Sequence, residues 1–162
     1  MRIGIISDTH DNLPMIAKAS AALRERGIEH LIHGGDFVAP FAVKALAQFG
    51  VPVTAVYGNN DGEKRGIELA FEGIGTVGEK SIVAELDGRR IVVIHEPMLL
   101  STLVAAGQFD LCVYGHTHEV DIRREPGLIA NPGEACGYVQ GIATVVCLDL
   151  ATMTPEVITL SE

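Results

Sequence analysis

The sequence has no tryptophan and few aromatic residues of any kind, which together make up 5% of its 162 residues. A hydrophobic core must therefore be built mainly from Ile, Val, Leu and Ala. Charged residues account for 20% of the chain and apolar residues for 48%. This balance is typical of a globular protein and excludes a disordered one. The length is that of one compact domain, so we expect a single domain over residues 1–162.

Long apolar runs are missing and cysteine is scarce. The runs at residues 142–148 and 91–94 are too short to cross a bilayer, and the apolar start of the chain, which ends at Asp8, is too short for a signal peptide. The three cysteines are an odd number and argue against a disulfide framework. We therefore expect a cytoplasmic protein. Cys112 and Cys147 are expected to be small buried hydrophobes, and the sequence assigns no role to Cys136.

Basic residues are also few, since 12 Lys and Arg face 21 Asp and Glu and leave a net charge of −9. A nucleic-acid polymer or an anionic membrane would require a basic surface, because such binding depends on the release of counterions by Lys and Arg. Neither is therefore expected as a partner. A small phosphate-bearing ligand stays possible where a local feature reverses the sign of the charge.

The order of the predicted elements indicates an α/β fold. Early strands are predicted at residues 2–7, 28–33 and 51–57, with helices at residues 14–26, 38–49 and 63–70. Later strands are predicted at residues 81–86, 89–94, 111–114, 120–124, 128–130, 138–148 and 156–160, with one helix at residues 98–106. The strand at residues 138–148 is either continuous or broken at Gly141. Short β-α-β connections predict a parallel sheet, and Asp87-Gly88 predicts a hairpin. We therefore expect a mixed α/β sandwich of two packed sheets.

Candidate ligand residues follow these strands at their carboxyl ends. They are Asp8, His10, Asp36, Asn59, Asn60, Asp61, His95, His116 and His118. Taken singly, the carboxylates are typical of helix caps, the Asn-Asn-Asp-Gly run of a turn, and a lone histidine of an ordinary hydrogen-bonded side chain. Ligands bind at this edge of open α/β sheets, however. The convergence of the whole set on one edge therefore indicates a ligand site.

The chemistry of this set predicts a metal site. Its donors are oxygen and imidazole nitrogen without a thiolate, which suits Mn²⁺, Fe²⁺, Co²⁺, Ni²⁺ or Zn²⁺. Two carboxylates (Asp8 and Asp36), four imidazoles and one amide (Asn59) make seven candidate ligands, which are too many for one ion and suit two ions that share a bridge. Two divalent ions would outweigh the charges of Asp8, Asp36 and a bridging hydroxide, leaving a local charge of about +1 that attracts a phosphate group.

Five ordered motifs resemble those of the calcineurin-like metallophosphoesterase superfamily. They are Asp8-Thr9-His10, Gly34-Gly35-Asp36, Gly58-Asn59-Asn60-Asp61, His95 and Gly115-His116-Thr117-His118. The short chain and the Asn131-Pro132-Gly133 turn resemble the small bacterial and archaeal phosphodiesterases of that family. The resemblance implies a four-layer α/β/β/α sandwich with two mixed β-sheets, and a homodimer or homotetramer.

The resemblance also implies which side chains bind each metal ion. Asp8, His10 and His118 would bind one ion, while Asn59, His95 and His116 would bind the other. Asp36 would bridge both ions through its carboxylate. Mn²⁺ is the ion that we expect first, with Ni²⁺, Co²⁺, Fe²⁺ and Zn²⁺ as alternatives.

Two positions depart from the family pattern. Asn60 stands where members often have a histidine that assists the leaving group, and an amide cannot supply a proton at neutral pH. Glu96 stands where glycine is common, either as a charge at the mouth of the pocket or as a solvated loop residue. His33, before the second motif, is expected to be structural rather than a ligand.

The activity implied is that of a metal-dependent phosphodiesterase that hydrolyses small phosphodiesters with a metal-bridged hydroxide. Asn59 and His10 are the expected catalytic residues, and Asn59 and Asn60 are expected to contact the substrate. The chain has no length left for a lid, which predicts an open site. The alternatives are a phosphomonoesterase or nucleotide phosphatase at the same site, a metal sensor or store, and a protein-binding scaffold like the retromer subunit of this fold.

Overall fold

The computed structural model describes residues 1–160, so the last two positions of the predicted domain lie outside the described residues. The strands are β1 Arg2–Ile6, β2 His30–His33, β3 Val53–Val56, β4 Gly75–Gly78, β5 Ser81–Leu86, β6 Arg89–Ile94, β7 Leu111–Val113, β8 Val120–Glu125, β9 Gly127–Pro132, β10 Ala143–Asp149 and β11 Thr154–Leu160. The α-helices are α1 Leu13–Glu25, α2 Pro40–Ala45, α3 Lys64–Phe71 and α4 Leu100–Ala105, and Leu46–Phe49 and Pro97–Leu99 form 3₁₀ turns.

The strands form two mixed sheets. The first has the order β11-β10-β1-β2-β3-β4, and the second has the order β5-β6-β7-β9-β8. Strands β1 to β4 pair in parallel, whereas β10 pairs antiparallel with both β1 and β11. In the second sheet β6, β7 and β9 are parallel, and β5 and β8 are antiparallel edges. The predicted pair of sheets is therefore confirmed.

Three apolar clusters separate four layers. Ile16 and Leu23 of α1, with Phe71 of α3, pack on the outer face of the first sheet. A second cluster fills the space between the sheets, where β1 and β6 bury Ile3, Ile5, Ile91 and Val93. Alternate residues of these strands face the same layer, as the pleat requires. Leu100 of α4 packs against Val92, Cys112 and Ile129 on the outer face of the second sheet. The architecture is the predicted α/β/β/α sandwich.

Three local predictions were wrong. The helix predicted at residues 38–49 is a short α-helix, Pro40–Ala45, which continues as a 3₁₀ turn. The strand Gly75–Gly78 was not predicted, because only Thr76 and Val77 carry side chains in it. The predicted strand at residues 138–148 is confined to Ala143–Asp149, because the backbone N–H groups of Val139 and Gln140 donate to the Glu134 carboxylate instead of to a strand.

Two further observations concern the membrane and the thiols. Across residues 1–160, every helix is too short or too polar to span a bilayer. All three cysteines are free and buried, which agrees with the predicted role of Cys112 and Cys147 as small core residues.

Candidate metal centre

The structure brings all seven predicted ligand residues together at the carboxyl ends of β1, β2, β3, β6 and β7. Asp36 lies at the centre, with its Oδ2 atom 3.6 Å from His10 Nε2 and 3.5 Å from His95 Nε2. The loops after β1 and β2 are held together by backbone hydrogen bonds from Asp8 to Gly35 and from His10 to Asp36. Parallel strands of the first sheet thus deliver Asp8, His10, Asp36 and Asn59, whereas His95, His116 and His118 come from β6 and β7 of the second sheet. The expected single sheet edge is therefore shared by the two sheets.

Two groups of ligand atoms lie around Asp36. In the first group, Asp8 Oδ1 is 3.8 Å from His10 Nε2 and 3.5 Å from His118 Nε2. The rings of His10 and His118 are stacked with their centroids 5.2 Å apart. These three side chains are the set that the sequence resemblance assigns to one ion.

The other group centres on Asn59. Its Oδ1 atom lies 3.0 Å from His95 Nε2 and 2.8 Å from His116 Nδ1. The rings of His95 and His116 meet edge to face at a centroid distance of 5.2 Å. The grouping corresponds to the second predicted ligand set, while the assignment of ions to the two groups stays a prediction.

The orientation of His95 leaves an acceptor nitrogen facing oxygen atoms. Its Nδ1 atom donates to the carbonyl oxygen of Gly34 at 2.7 Å, which leaves the Nε2 lone pair of the neutral ring towards Asn59 and Asp36. Acceptors that face acceptors require a proton or a cation between them. Burial alone lowers the pKa of His95, but the contact with Asp36 outweighs burial and raises it. The geometry therefore fits a metal ion at this position.

Buried polar atoms without a hydrogen-bond partner also indicate that a metal ion fits this site. Asp8 Oδ1 and His10 Nε2 are buried without a hydrogen-bond partner among residues 1–160, as is Ser7 Oγ. Burying such groups without compensation is costly, whereas coordination to a cation would satisfy them. Contact with Asp8 raises the pKa of His10 against the effect of burial, and Asp36 adds to the increase. The pKa values of His10 and His95 are thus both raised by the negative charge of nearby carboxylates.

Asp36 itself is kept ionised. Burial would raise its pKa, but the contact with His95 and the hydrogen bonds from the backbone and side chain of Asn60 hold the pKa well below its usual range. The Asn60 backbone N–H donates to Oδ1 and its amide Nδ2 donates to Oδ2, both at 2.8 Å. Asn60 therefore positions the Asp36 carboxylate, a role that the sequence did not predict, while its contact with substrate stays a prediction.

The backbone is unusual at these positions. Asp8, His10, Asp36, His116 and His118 all have positive φ values, between 39° and 69°. Such conformations are disfavoured for residues with a side chain and cluster at functional sites. The concentration of five of them in one cluster is consistent with a site that the surrounding structure holds in place.

Close approach of the loops explains one of the motif glycines. A Cβ atom at Gly58 would lie 2.1 Å from Asp36 Oδ1 and 2.5 Å from Asp36 N. Distances of this kind exclude any side chain, because backbone and carboxylate atoms cannot both give way. The third motif can therefore pack against the second only through glycine.

Sequence reasoning missed Glu134, which is fully buried beside His118. Its Oε2 atom accepts a hydrogen bond of 2.6 Å from His118 Nδ1, so Nε2 of the same ring faces Asp8. Burial would raise the pKa of Glu134, but hydrogen bonds from His118, Gln140 and Val139 keep it below its ordinary value. Glu134 follows the Asn-Pro-Gly turn, and that adjacency was the only signal in the sequence that pointed to it.

Asp61 was named as part of a turn motif but given no role. Its buried carboxylate accepts hydrogen bonds from the backbone N–H groups of Asp36, Val38 and Gly58, at 3.0, 2.7 and 2.7 Å. It therefore ties the second motif to the third. Burial raises the pKa of Asp61 in spite of these hydrogen bonds.

Three other positions have clear outcomes. His33 is fully buried and accepts from Gly35 N at Nδ1 while Nε2 contacts Thr9 Oγ1, so it is structural as expected. Burial lowers the pKa of His33 to about 3. Glu96 is exposed, in line with a solvated loop residue. Cys136 lies with His10 and His118 in a group whose potential ligand atoms are within 4.8 Å of one another.

Comparison with known proteins identifies the family. The calcineurin-like phosphoesterase superfamily domain matches residues 1–153. A phosphodiesterase from Methanocaldococcus jannaschii is 38% identical over 157 residues, which cover 92% of this chain and 93% of that protein. The chain belongs to the calcineurin-like phosphoesterase superfamily. The family implies divalent metal ions, and the ligand groups around Asp8 and Asp36 are where this chain can hold them.

Solved structures agree with this assignment. A structure described as a novel archaeal phosphodiesterase superposes with a TM-score of 0.93 at 36% identity, and the match covers 99% of this chain and 100% of that one. A phosphoesterase from E. coli matches with a TM-score of 0.70 at 20% identity, covering 99% and 100% of the two chains. Vacuolar Protein Sorting 29 from Cryptosporidium parvum matches with a TM-score of 0.66 at 20% identity, covering 98% and 95%. The last two matches show the fold alone.

Proposed function

We propose that this chain is a metal-dependent phosphodiesterase that hydrolyses small phosphodiesters. The observation that carries the proposal is the arrangement of two ligand groups around Asp36, with acceptor atoms facing one another across the gaps that cations would fill. The relative that is 38% identical over 92% of this chain is a phosphodiesterase, which supports cleavage of diesters.

The ligand sets proposed are the two groups already described. Asp8, His10 and His118 hold one ion, Asn59, His95 and His116 hold the other, and Asp36 contacts both. When bound, two divalent ions act as Lewis acids and make water nucleophilic near neutral pH. Oxygen and imidazole donors favour Mn²⁺ first, with Ni²⁺, Co²⁺, Fe²⁺ or Zn²⁺ as alternatives.

The side chains of this chain orient the substrate around that centre. Asn59 Oδ1 is directed at His95 and His116, which leaves its amide nitrogen as the group that donates to a phosphate oxygen. Contacts with Asp8 and Asp36 raise the pKa of His10, so its Nε2 atom favours a proton when no cation is bound. His10 is the candidate to pass a proton to the leaving oxygen only where Nε2 is not a metal ligand.

Asn60 limits the leaving groups that react well. Its amide donates to Asp36 and holds no proton that can be transferred at neutral pH. Diesters with leaving groups of low pKa should therefore be hydrolysed fastest. Equal rates for alkyl and aryl diesters would contradict this part of the proposal.

The experiment that tests the function is hydrolysis of bis-p-nitrophenyl phosphate by metal-stripped protein after separate addition of Mn²⁺, Ni²⁺, Co²⁺, Zn²⁺ and Mg²⁺. The variant Asp36→Asn controls for contaminating enzymes. We expect turnover that requires metal and disappears in the variant. Metal binding without turnover of any ester would point to a metal store, and turnover of monoesters alone would point to a phosphomonoesterase.

We also propose a cellular setting for this chain. Three free, buried thiols support a reducing compartment such as the cytoplasm. A net charge of −9 supports a small substrate rather than a nucleic-acid polymer or a membrane surface. We propose that residues 1–162 form a single domain. From the family resemblance we propose that this domain assembles as a homodimer or homotetramer.

A further inference from the structure

A cavity of about 430 Å³ opens beside the ligand group of Asn59. Its walls come from the loop after β3, the turn between β4 and β5, and the loop after β6. Asn59 and His95 belong both to this cavity and to the candidate metal centre. A phosphate group held at the centre therefore has one ester arm within reach of the cavity.

The inner wall of the cavity is apolar. Ile94 and Tyr57 are buried there, with 3% and 6% of their surface exposed. At the rim, Met98 and Leu99 are 80% and 59% exposed on the 3₁₀ turn after β6. Large apolar side chains that are exposed next to a cavity lose unfavourable contact with water when an apolar group covers them. Methionine also packs well against aromatic rings.

The charged side chains of the rim cancel one another. Lys64 forms an ion pair with Glu79, and its ammonium group lies 5.1 Å from the centroid of the Tyr57 ring. Lys80 and Glu96 line the same cavity with opposite charges. The cavity thus has no excess of positive charge to bind a second anionic group, in contrast to the centre beside it.

We propose that this cavity binds a neutral, ring-bearing ester arm of the phosphodiester, of about the size of a nucleoside. The volume falls within the range of roughly 300–1,000 Å³ that is typical of small-molecule sites. The inference rests on the proposed function and adds the class of substrate: a diester with one uncharged aromatic or heterocyclic arm. Simple dialkyl diesters and diesters with a phosphorylated arm gain nothing from the cavity.

Calorimetric binding to Mn²⁺-loaded protein tests the proposal without requiring turnover. The probes are ethyl methylphosphonate, the thymidine 5′-ester of methylphosphonate, and the same thymidine ester with a 3′-phosphate. Burial of a ring against Met98 and Leu99 should make the thymidine ester bind about tenfold more tightly than the ethyl ester. The 3′-phosphate should give no further gain. Equal affinity for the ethyl and thymidine esters, or a marked gain from the 3′-phosphate, would overturn the proposal.

Variants locate the effect. Met98→Asp and Leu99→Asp are expected to reduce the advantage of the thymidine ester to less than about threefold, because a carboxylate resists burial under a ring. Their affinity for the ethyl ester, which has no ring to place in the cavity, should match that of the unmodified protein. Val157→Asp is the matched control, since Val157 is an exposed apolar residue on β11 at the far edge of the first sheet.

The outcomes distinguish the two proposals. An unchanged thymidine advantage in both rim variants would place the ring elsewhere and refute the cavity site, whatever the activity. Failure of all metals to support hydrolysis of bis-p-nitrophenyl phosphate would refute the proposed function, while a thymidine advantage that depends on Met98 would still establish the cavity as a binding site.

Discussion

Replacement of Glu134 by glutamine removes a negative charge from a buried carboxylate that holds His118 in place. Glu134 Oε2 accepts from His118 Nδ1 at 2.6 Å, and Oε1 accepts from the backbone N–H of Gln140 at 2.6 Å. The carboxylate fixes the tautomer of the imidazole, so that Nε2 presents its lone pair to the site beside Asp8. Glutamine preserves the volume of the side chain but offers only one acceptor oxygen.

We expect Glu134→Gln to reduce both the affinity for metal and the free energy of unfolding. Partners that orient a metal-binding histidine typically contribute 10- to 100-fold in metal affinity, or about 1.4–2.8 kcal/mol. The amide introduced by Glu134→Gln has one oxygen and one NH₂ group. Its NH₂ group would face another donor, either His118 Nδ1 or a backbone N–H, and the two donors cannot form a hydrogen bond. One such unsatisfied group should reduce the free energy of unfolding by about 1–3 kcal/mol.

The assay separates the two effects. Titration of chelator-treated protein with Mn²⁺ in a calorimeter gives the dissociation constant, and urea unfolding in the presence of chelator gives the stability of the metal-free fold. Glu119→Gln is the matched control, because Glu119 is an exposed carboxylate next to His118 in the sequence. Glu134→Asp keeps the charge and should recover part of the affinity.

A folded Glu134→Gln protein that binds Mn²⁺ as tightly as the unmodified chain would refute this reasoning. His118 would then be correctly oriented without its buried partner, or it would not bind metal. A loss of affinity in Glu119→Gln as large as in Glu134→Gln would show that net charge, rather than the orientation of the imidazole, controls binding.

Three further predictions follow from buried contacts. Asp61→Asn replaces one of the two carboxylate oxygens that accept from three backbone N–H groups with an N–H donor, and should lower the free energy of urea unfolding by about 1–3 kcal/mol. Gly58→Ala places a Cβ 2.1 Å from Asp36 Oδ1, and should abolish high-affinity Mn²⁺ binding in calorimetry, whereas Gly62→Ala, with open space around it, should not. His33 has a folded pKa of about 3 against an unfolded value of 6.5, so the unfolded chain binds more protons between these values. Its contribution to stability is therefore full above pH 6.5 and falls by about 1.4 kcal/mol per pH unit below it, and His33→Gln should remove this slope from urea unfolding measured at pH 5 to 7.

The sheet order was predictable wherever apolar periodicity was strong. The runs that became β1 and β3 are rich in β-branched residues and almost fully buried, so they could be identified from composition alone. Strand β4 could not, because Gly75–Gly78 has two glycines and no buried residue. It is a strand because β3 pairs with it along its whole length, and pairing of that kind is a tertiary effect that local propensity does not encode.

The strand predicted just before β10 was wrong for the opposite reason, because a segment with high strand propensity forms a loop. Tyr138, Val139 and Ile142 have high strand propensity, yet all three are exposed in a loop. The backbone N–H groups of this loop are satisfied by the carboxylate of Glu134. A buried charge four to six positions earlier in the chain therefore overrides propensity, and it does so at the residue that also supports His118.

The candidate site was predictable as a set of residues because each motif follows the carboxyl end of a strand, and ligands bind at that end of the strands in α/β folds. The sequence did not show that these strands belong to two sheets. What the sequence could not provide is the protonation pattern. His33 and His95 both contact the backbone of the Gly34-Gly35 pair, yet His33 accepts a hydrogen bond at Nδ1 from Gly35 N–H and His95 donates one there to the Gly34 carbonyl. Only the second arrangement leaves Nε2 as an acceptor that faces the site. The sequence can therefore identify a candidate ligand histidine. Whether one ring nitrogen of that histidine can bind a metal ion depends on the partner of the other nitrogen, which is the Gly34 carbonyl for His95 and the Glu134 carboxylate for His118.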